Sequence, residues 1–515
     1  MPAEPRRVPV LALFAGLVAA GLVVEAVTGG GTGAVAGQSV VAGPVVGVPA
    51  QALVSTWFCA GATSGAGTGA PGELLLANAG RSPVRARVDL FTDGGRSEHT
   101  SVDVAPGTVG LVHERVGRPL PVSGGAGRLL GPGAQAPGDW VGAEVTVLGG
   151  LTTVSQVVVT PAGTTAQPCA TAASQTWFFS AGEQLRNASE VLSLLNPSPV
   201  DEVVDMTFTT EQGVEQPGAF QGIVIPAHGL TTVAVGAHLR QRDHIAATLR
   251  SRSGTFVAFE TELVHQPPAG AAPVGTPGAV NPVWPVAGVT LQLGSPAPAR
   301  QWWWPAGGEG PGLTESYVVY DPGTAPARVQ LGLHPSAGGP VSRTVLDVPA
   351  QGWASVRTNG QPWSLNGVPY WASLRSLNGV PVVAQRSLMA APPAPTRGLA
   401  AMFGLGRPAT SWALTETAVP EGGSAVQVLD PGARPASVRL YRRVGRQLRL
   451  LGGSPGFVVQ PGQEVSAALP SGATDAVLVT SSVPVLADLS TTSVKRSTGT
   501  DLSPLPPVLG PPGPR

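Results

Sequence analysis

The chain reads DPGTAP at residues 321–326 and continues with ARVQLGL at residues 327–333. An aspartate followed by Pro-Gly favours a tight turn. Its carboxylate can accept a hydrogen bond from the backbone two residues on, proline presets φ, and glycine adopts φ > 0 without penalty. Apolar and polar residues alternate after the turn, as in a strand with one buried and one solvated face. We therefore expect a strand end, a turn and a second strand.

This pattern occurs four times along the chain. An asparagine or aspartate occupies the turn in every copy: Asn78, Asn196, Asp321 and Asp430. A tryptophan begins every copy: Trp57, Trp177, Trp302 and Trp412. A short proline-containing segment and a further apolar stretch follow each turn. Residues typical of a β-hairpin turn end each copy. Four copies of one folding unit are therefore expected.

The fold class predicted from these copies is all-β. Each copy holds about six or seven short strands in about 100–110 residues, the size of an immunoglobulin-like antiparallel β-sandwich. Such a unit is too large for a single propeller blade. We expect about four tandem sandwich units after one N-terminal hydrophobic helix. Because Pro-rich spacers are semi-rigid, we expect the units to form an extended or gently curved array.

The predicted boundaries follow the copies and the Pro-rich breaks between them. They are a signal anchor or signal peptide at 1–28, a Gly/Ala-rich spacer at 29–50, unit 1 at 51–165, unit 2 at 166–268, a Pro-rich linker at 269–290, unit 3 at 291–391, a second linker at 392–401, unit 4 at 402–496 and a disordered Pro-rich tail at 497–515.

The N-terminus carries a targeting signal. Arg6 and Arg7 precede an uncharged apolar run over residues 8–24. As a helix this run would span about 25 Å, slightly less than the roughly 30 Å hydrocarbon core of a bilayer. An uncleaved anchor would make the protein single-pass, with its bulk extracytoplasmic. The alternative is a signal peptide, cleaved near residues 34–36, and a secreted protein.

The two cysteines, Cys59 and Cys169, agree with export. An isolated pair in an exported protein most simply forms one disulfide. A metal site is not favoured, because neither cysteine has a neighbouring histidine.

No catalytic set emerges from the sequence, so we expect neither an enzyme nor a cofactor. Net charge is zero and charged residues make up 12% of the chain, which argues against nucleic-acid binding. The histidines are expected on surfaces or loops, and the arginines of residues 439–449 on a solvated hairpin. Acidic residues recur before the turn strand, at Glu73, Glu190, Glu315 and Glu421. One acid per unit does not make a glycosidase pair, so we expect these at strand ends or on solvent faces.

The cluster Trp302, Trp303 and Trp304 allows two interpretations. Exposed aromatic rings stack on sugars and anchor interfaces, so the cluster is a possible binding surface. Tryptophan holds the same place in the other copies, however, which favours packing in a core or between units. Successive strand residues point to opposite faces, so the three rings cannot all share one core.

The hydrophobic N-terminal segment, the Gly/Ala spacer, the Trp-Phe-Cys opening at residues 57–59 and the repeated Asx-turn units together resemble an actinobacterial envelope family of unknown function, membrane-anchored or secreted. The resemblance implies an extracytoplasmic protein and brings no catalytic residues. We expect a non-enzymatic structural or scaffolding protein of the envelope. The alternative is a carbohydrate or wall-polymer binder that uses exposed tryptophans. Expected partners are envelope proteins or wall glycans, and the membrane through the N-terminal helix.

Overall fold

The alternating stretches form β-strands, which confirms the all-β class. The computed structural model describes residues 53–64, 69–116, 140–273, 283–365, 367–394, 398–415, 423–444, 447–451, 456–469, 476–495, 499–505 and 508–509. All of these belong to one compact unit that covers residues 42–515. The helix predicted at 1–28 and the spacer at 29–50 lie outside the described residues. Among the helices of the described part, none has the length and apolar character needed to cross a membrane.

Unit 1 is a sandwich of two four-stranded antiparallel sheets. Its first sheet has the order β1-β6-β3-β4 and its second the order β5-β2-β7-β8. The strands are β1 (Val54–Thr63), β2 (Gly72–Asn78), β3 (Val84–Thr92), β4 (Ser97–Val104), β5 (Val109–His113), β6 (Trp140–Leu148), β7 (Thr152–Thr160) and β8 (Gly163–Pro168).

Unit 2 repeats this order, with its fourth strand split in two. Its sheets are β12-β11-β15-β9, with β13 also on β11, and β14-β10-β16-β17. The elements are β9 (Thr176–Gln184), β10 (Ala188–Asn196), β11 (Glu202–Thr210), β12 (Gly213–Glu215), a 3₁₀ helix (Gly218–Phe220), β13 (Ile223–Ile225), β14 (Gly229–Ala234), a 3₁₀ helix (Val235–Ala237), β15 (Arg242–Ser251), β16 (Val257–Val264) and β17 (Gly288–Leu293).

Unit 3 has the same order again, in the sheets β18-β23-β20-β21 and β22-β19-β24-β25. Its strands are β18 (Gln301–Gly307), β19 (Leu313–Asp321), β20 (Ala327–Pro335), β21 (Ser342–Val348), β22 (Gly352–Arg357), β23 (Tyr370–Ser376), β24 (Val383–Ala390) and β25 (Gly398–Phe403).

In unit 4 one long strand, β32, serves as both the sixth and the seventh strand. It pairs with β26 and β28 in the first sheet and with β27 and β33 in the second. The strands are β26 (Ala409–Thr415), β27 (Gly423–Leu429), β28 (Ala436–Val444), β29 (Gln447–Leu450), β30 (Phe457–Val459), β31 (Glu464–Ala468), β32 (Ala476–Lys495), β33 (Gly499–Leu505) and β34 (Val508–Leu509).

The strand after each Asx turn shows why the sequence alternates. On β3, Val84, Ala86 and Val88 are buried, while Arg85 and Arg87 between them are exposed. The units are therefore two-sheet sandwiches, as expected. Their strand order differs from the immunoglobulin order, in which the first strand lies beside the second in one sheet. Here the first strand pairs with the sixth.

The four units are joined head to tail, with the first sheet of each unit lying on the second sheet of the next. Between units 1 and 2, Thr261 Oγ1 donates to the Gly61 carbonyl at 2.6 Å. Between units 2 and 3, Ser180 Oγ donates to Gln385 Oε1 at 3.3 Å. Between units 3 and 4, the Trp371 indole donates to the Gly462 carbonyl at 3.0 Å.

The same contact recurs between unit 4 and unit 1. Arg443 Nε donates to the Ala79 carbonyl at 2.7 Å, and the hydroxyls of Thr153 and Thr415 are 2.6 Å apart. The eighth strands meet at the centre, where β17 contacts β8 and β25, and β33 contacts the same two strands. A head-to-tail contact that returns to its starting unit makes a closed ring. The expected extended array is therefore wrong.

The ring closes because the stretches predicted as linkers contain the eighth strands. β17 begins inside the predicted linker 269–290, β25 begins inside 392–401, and β33 lies in the predicted tail. β8 crosses the predicted boundary between residues 165 and 166. Close packing accompanies this arrangement: a Cβ on Gly288 of β17 would lie 2.9 Å from the Leu399 side chain of β25.

Candidate functional site

The repeated turn residues make the expected hydrogen bond in all four units. The side-chain oxygen accepts a hydrogen bond of 2.8 Å from the backbone N–H two residues on. The N–H groups of Gly80, Ser198, Gly323 and Gly432 donate to Asn78, Asn196, Asp321 and Asp430, respectively. Asp321 and Asp430 are therefore folding residues. Within the described part of the chain, no group of three or more His, Cys, Asp and Glu side chains is placed to hold a metal ion.

Cys59 and Cys169 form the predicted disulfide, with their Cα atoms 4.7 Å apart. It ties the first strand of unit 1 to the residue that follows the eighth strand, and both cysteines are fully buried. Phe58 and Ala170 exchange two backbone hydrogen bonds of 2.8 Å beside it. The bond therefore closes unit 1 at the point where the chain enters unit 2.

The tryptophan cluster packs within and between units. Trp302 and Trp304 are fully buried and donate to the carbonyls of Val382 (3.0 Å) and Met402 (3.3 Å). Trp303 points to the other face of β18, where it is half-buried against a hydrophobic cluster made largely by unit 4. Two of the three rings therefore present no surface to a ligand.

The tryptophan at the start of the copy makes the same kind of hydrogen bond in three units. Its indole donates to the backbone carbonyl at the start of, or just before, the seventh strand segment. The pairs are Trp177 with Phe256, Trp302 with Val382, and Trp412 with Val485. This hydrogen bond connects the two sheets of a unit, which is a structural role.

The acidic residues before the turn strand lie near strand ends, as one of the two expectations has it, but not all of them face solvent. Glu190 and Glu315 are buried inside their sandwiches, whereas Glu73 is partly exposed and lies 3.0 Å from His113. Glu421 lies outside the described residues. Burial without a counter-charge is costly for a carboxylate, so the groups around Glu190 and Glu315 decide how each is tolerated.

In unit 3 the buried carboxyl has a cation. Arg386 Nη1 lies 4.0 Å from Glu315 Oε1 and donates to the Ala306 carbonyl at 2.7 Å. Tyr317 also donates its hydroxyl to Glu315. Burial raises the pKa of Glu315, and Arg386 and Tyr317 oppose that shift.

In unit 2 the same place holds two carboxyls and no cation. Glu260 occupies the position equivalent to Arg386, opposite the residue four before the turn. A Cβ on Gly182 would lie 2.4 Å from Glu190 Oε2 and 2.7 Å from Glu260 Oε1, so glycine makes room for both groups. Burial raises the pKa of Glu190 to about 8, and burial followed by the Glu190 charge raises the pKa of Glu260. The pair is therefore held in a protonated form at neutral pH.

Unit 1 places Gln156 at this position, and both carboxylate oxygens of Glu114 accept from its amide, at 3.0 and 2.9 Å. Unit 4 places Leu489 there. One interior position thus carries an amide, an acid, a cation and an aliphatic group in the four units. Aligning the seventh strands of the copies would have shown this variation in the sequence.

Two further side chains were expected on the surface and are buried. His244 of unit 2 stacks on Trp353 of unit 3 with ring centroids 3.6 Å apart, and burial lowers its pKa to about 3. Arg443 belongs to the predicted solvated hairpin, but it is only 4% exposed because it contacts unit 1. Both residues are used in the contacts that close the ring.

An open cleft lies where units 2 and 3 meet. Its polar lining includes Glu183, Glu262, Trp284 and Thr290 from unit 2, and Thr314, Ser316, Arg357 and Ser387 from unit 3, while its apolar lining includes Leu388, Met389, Leu399 and Ala400. No sequence pattern indicates this site, because its two walls come from separate units.

The carboxyl groups of the cleft are poorly hydrogen-bonded. Glu183 Oε2 and Glu262 Oε1 are buried and have no hydrogen-bond partner. The Trp284 indole N–H interacts with the Glu183 carboxyl and opposes the rise of its pKa. Burial raises the pKa of Glu262 to about 8 and, with the Glu262 charge as the next cause, raises that of Glu183. These groups combine unsatisfied polar atoms with space for a ligand.

Comparison with known proteins gives a match over part of the chain. Residues 138–272, which are 135 of the 515 residues, match the model of DUF5719, described as a family of unknown function. The expected resemblance to a family of unknown function holds for this segment, and the match carries no information on an actinobacterial envelope. No curated protein matches the chain.

Among solved structures, one match is the crystal structure of a tetra-tandem repeat in the extending region of a large adhesion protein. It is 11% identical, and the alignment covers 82% of this chain and 90% of that one. The TM-score is 0.08, so this likeness carries no argument about fold or function.

Proposed function

We propose that the protein is a non-enzymatic scaffold of the cell envelope that works outside the cytoplasm. The observation that carries the proposal is the closed ring of four sandwiches. Each unit is held by both neighbours, so the ring is a rigid platform with fixed loops and outer sheet edges. Rigid platforms that carry exposed loops suit the presentation and spacing of partners.

The disulfide supports the proposed location, because disulfides persist mainly in oxidising compartments. Cys59 and Cys169 are buried and joined within unit 1. A membrane anchor at residues 1–28 and secretion after cleavage remain the two alternatives for how the chain reaches that location. Envelope proteins or wall glycans are the proposed partners, and the zero net charge disfavours nucleic acid.

A glycan-binding surface made by Trp302, Trp303 and Trp304 is not favoured. Two of these rings are fully buried, and the third packs against unit 4. Their hydrogen bonds and contacts account for them as packing residues.

The scaffold proposal is tested by opening the ring in producing cells. Ala79 is fully buried where unit 4 meets unit 1, so Ala79→Arg forces a bulky charge into that contact. Val200 is 60% exposed, and Val200→Arg is the matched control. We expect cross-linking to recover one fixed set of envelope partners with the native chain and the control, and to lose it with Ala79→Arg.

Two outcomes would contradict the proposal. The first is a partner set that is unchanged when the ring is open. The second is turnover of an envelope glycan that disappears on replacing a single carboxylate, since this would make the protein an enzyme.

A further inference from the structure

The carboxyl groups of the cleft between units 2 and 3 differ from the interior carboxyls of units 1 and 3. In unit 3 the interior carboxyl of Glu315 has Arg386 and a tyrosine hydroxyl, and in unit 1 the carboxyl of Glu114 has an amide. Glu183 and Glu262 line the cleft, and each has one buried oxygen without a hydrogen-bond partner. A buried polar atom without a partner is costly, so a ligand that hydrogen-bonds to these carboxyl groups is favoured.

The position of Trp284 is fixed, which suits a binding role. Its backbone N–H donates to Asn187 Oδ1 at 2.9 Å, and its carbonyl accepts from Asn187 Nδ2 at 3.0 Å. Its side chain packs against a hydrophobic cluster that includes Val286 and Leu399, and its indole N–H interacts with the Glu183 carboxyl. A tryptophan held in this way offers an apolar face beside a carboxyl group.

The opposite wall supplies complementary groups. Ser316 and Arg357 are cross-strand partners on β19 and β22 of unit 3, and Arg357 is exposed at the mouth of the cleft. Gln385 at the base bonds to unit 2 through Ser180, at 3.3 Å. The two walls are thus fixed relative to each other by a direct hydrogen bond, and the ligand would not have to order them.

The chemistry of the lining identifies the ligand class. Carboxyl groups, a guanidinium and serine and threonine hydroxyls together accept and donate hydrogen bonds, as the hydroxyls of a sugar require. Trp284, Leu388 and Met389 supply apolar surface for the C–H face of a sugar ring. We propose that this cleft binds a neutral sugar residue of an extracellular glycan.

The charge state of the cleft separates a sugar from competing ligands. A metal ion or an ammonium group needs ionised carboxylates, whereas a sugar hydroxyl can bond to a neutral acid. Burial raises the pKa of Glu262 to about 8, so this group is mainly neutral at pH 7. Glu262→Gln keeps a neutral hydrogen-bonding group of the same shape, and Glu262→Leu removes hydrogen bonding.

The test is ligand-observed NMR on the full chain at pH 7. The probes are the neutral methyl glycosides of glucose, galactose, mannose and arabinose, with glucosamine and calcium chloride as competing chemistries. We expect at least one neutral glycoside to bind. Its affinity should change less than about threefold in Glu262→Gln and fall at least about tenfold in Glu262→Leu and Trp284→Ala, since tenfold is about 1.4 kcal/mol.

Arg357→Ala keeps the test decisive if an interior variant fails to fold, because Arg357 is exposed. We expect this variant to fold and to bind the glycoside several-fold more weakly. Trp303→Ala, at the contact with unit 4, should bind like the native chain. The proposal is overturned if no neutral glycoside binds, if only glucosamine or calcium binds, or if Glu262→Leu and Arg357→Ala both bind normally.

Discussion

We predict that Asp430→Asn stabilises the protein at pH 7, although it removes a fully buried native side chain. In unit 1 the equivalent residue is Asn78, whose Nδ2 donates to the carbonyls of Ser82 and Val104, both at 2.9 Å. Asp430 uses Oδ1 for the turn, as Asn78 does, but its Oδ2 is buried and has no partner. An aspartate has no N–H to offer the carbonyls that asparagine satisfies.

The backbone around the two residues is the same, so the substituted amide should find the same acceptors. Gly107 N donates to the Asn78 carbonyl at 2.8 Å, and Gly462 N donates to the Asp430 carbonyl at 2.8 Å. This correspondence places Val459 where Val104 lies. Asn78 and Asp430 are each fully buried.

The expected gain follows from these contacts. One or two new hydrogen bonds contribute about 0.5–1.5 kcal/mol each, and relieving an unsatisfied buried acceptor is worth about 1–3 kcal/mol. Because these terms overlap, we expect the free energy of unfolding to rise by about 1–3 kcal/mol. Urea unfolding of the full chain, followed by circular dichroism and tryptophan fluorescence together, measures it.

The gain should depend on pH. Burial raises the pKa of Asp430 above its ordinary value, while the Gly432 N–H opposes that shift. With a raised folded pKa, the native carboxyl is best tolerated below its unfolded pKa, and stability falls as pH rises through the folded pKa. The advantage of Asp430→Asn should therefore be larger at pH 7 than at pH 4.

Two matched variants complete this test. Asn78→Asp should destabilise unit 1 by a similar amount with the same pH trend. Asp103→Asn removes the same charge from an exposed ion pair with Arg85, at 2.9 Å, and should change stability by less than about 1 kcal/mol. The reasoning is refuted if Asp430→Asn destabilises the protein at pH 7, or if its effect is independent of pH.

Three further predictions concern other buried groups. Stability should fall as pH rises from about 4.5, the ordinary pKa of a glutamate, to about 8, the raised pKa of Glu190 in the folded protein. Glu190→Gln should flatten that fall in urea titrations, and an equally steep fall in the variant would contradict the protonated pair. Arg386→Met should lower the free energy of unfolding by about 3–5 kcal/mol, because it leaves Glu315 buried without a counter-charge. Adding Glu315→Leu should restore part of this stability. Additive losses in the double-mutant cycle would argue against coupling. Replacing Cys59 and Cys169 by alanine should lower the free energy of unfolding by about 4–5 kcal/mol, since the disulfide closes a loop between residues 110 positions apart. A loss below about 1 kcal/mol would contradict a structural role.

Local features of the fold could be predicted because they depend on residues that are close together in the sequence. The four Asx turns follow from an Asn or Asp with turn residues behind it, and all four make the same 2.8 Å bond. The alternation after each turn fixes which side of the strand is buried. The lone cysteine pair, together with the export predicted from the N-terminus, predicts the disulfide.

The ring could not be predicted in this way, because it depends on the fit between separate units. The eighth strands are short and lie next to Pro-rich stretches, so their sequences predict linkers. Gly142 admits the Leu195 and Leu230 side chains of unit 2, which would lie 3.1 and 3.2 Å from a Cβ there. The role of such a glycine becomes visible only when two units are in contact.

The candidate site was missed for a related reason. Glu190 and Glu315 lie near the starts of their strands, where a carboxylate usually meets solvent, and the opposite sheet of the same unit buries them. Glu183 and Glu262 lie on strands of unit 2, and the cleft they line is completed by unit 3. Pairwise comparison of the copies exposes the variable interior position, but it does not reveal a cleft between units.

The closed ring is tested most directly by a disulfide placed between its first and last units. The hydroxyls of Thr153 and Thr415 are 2.6 Å apart although the residues are 262 positions apart in sequence. In the Thr153→Cys/Thr415→Cys variant we expect an intramolecular bond, detected by mass spectrometry of the linked peptides in monomeric protein under non-reducing conditions. A variant that stays reduced under oxidising conditions, or links only between two chains, would contradict the ring.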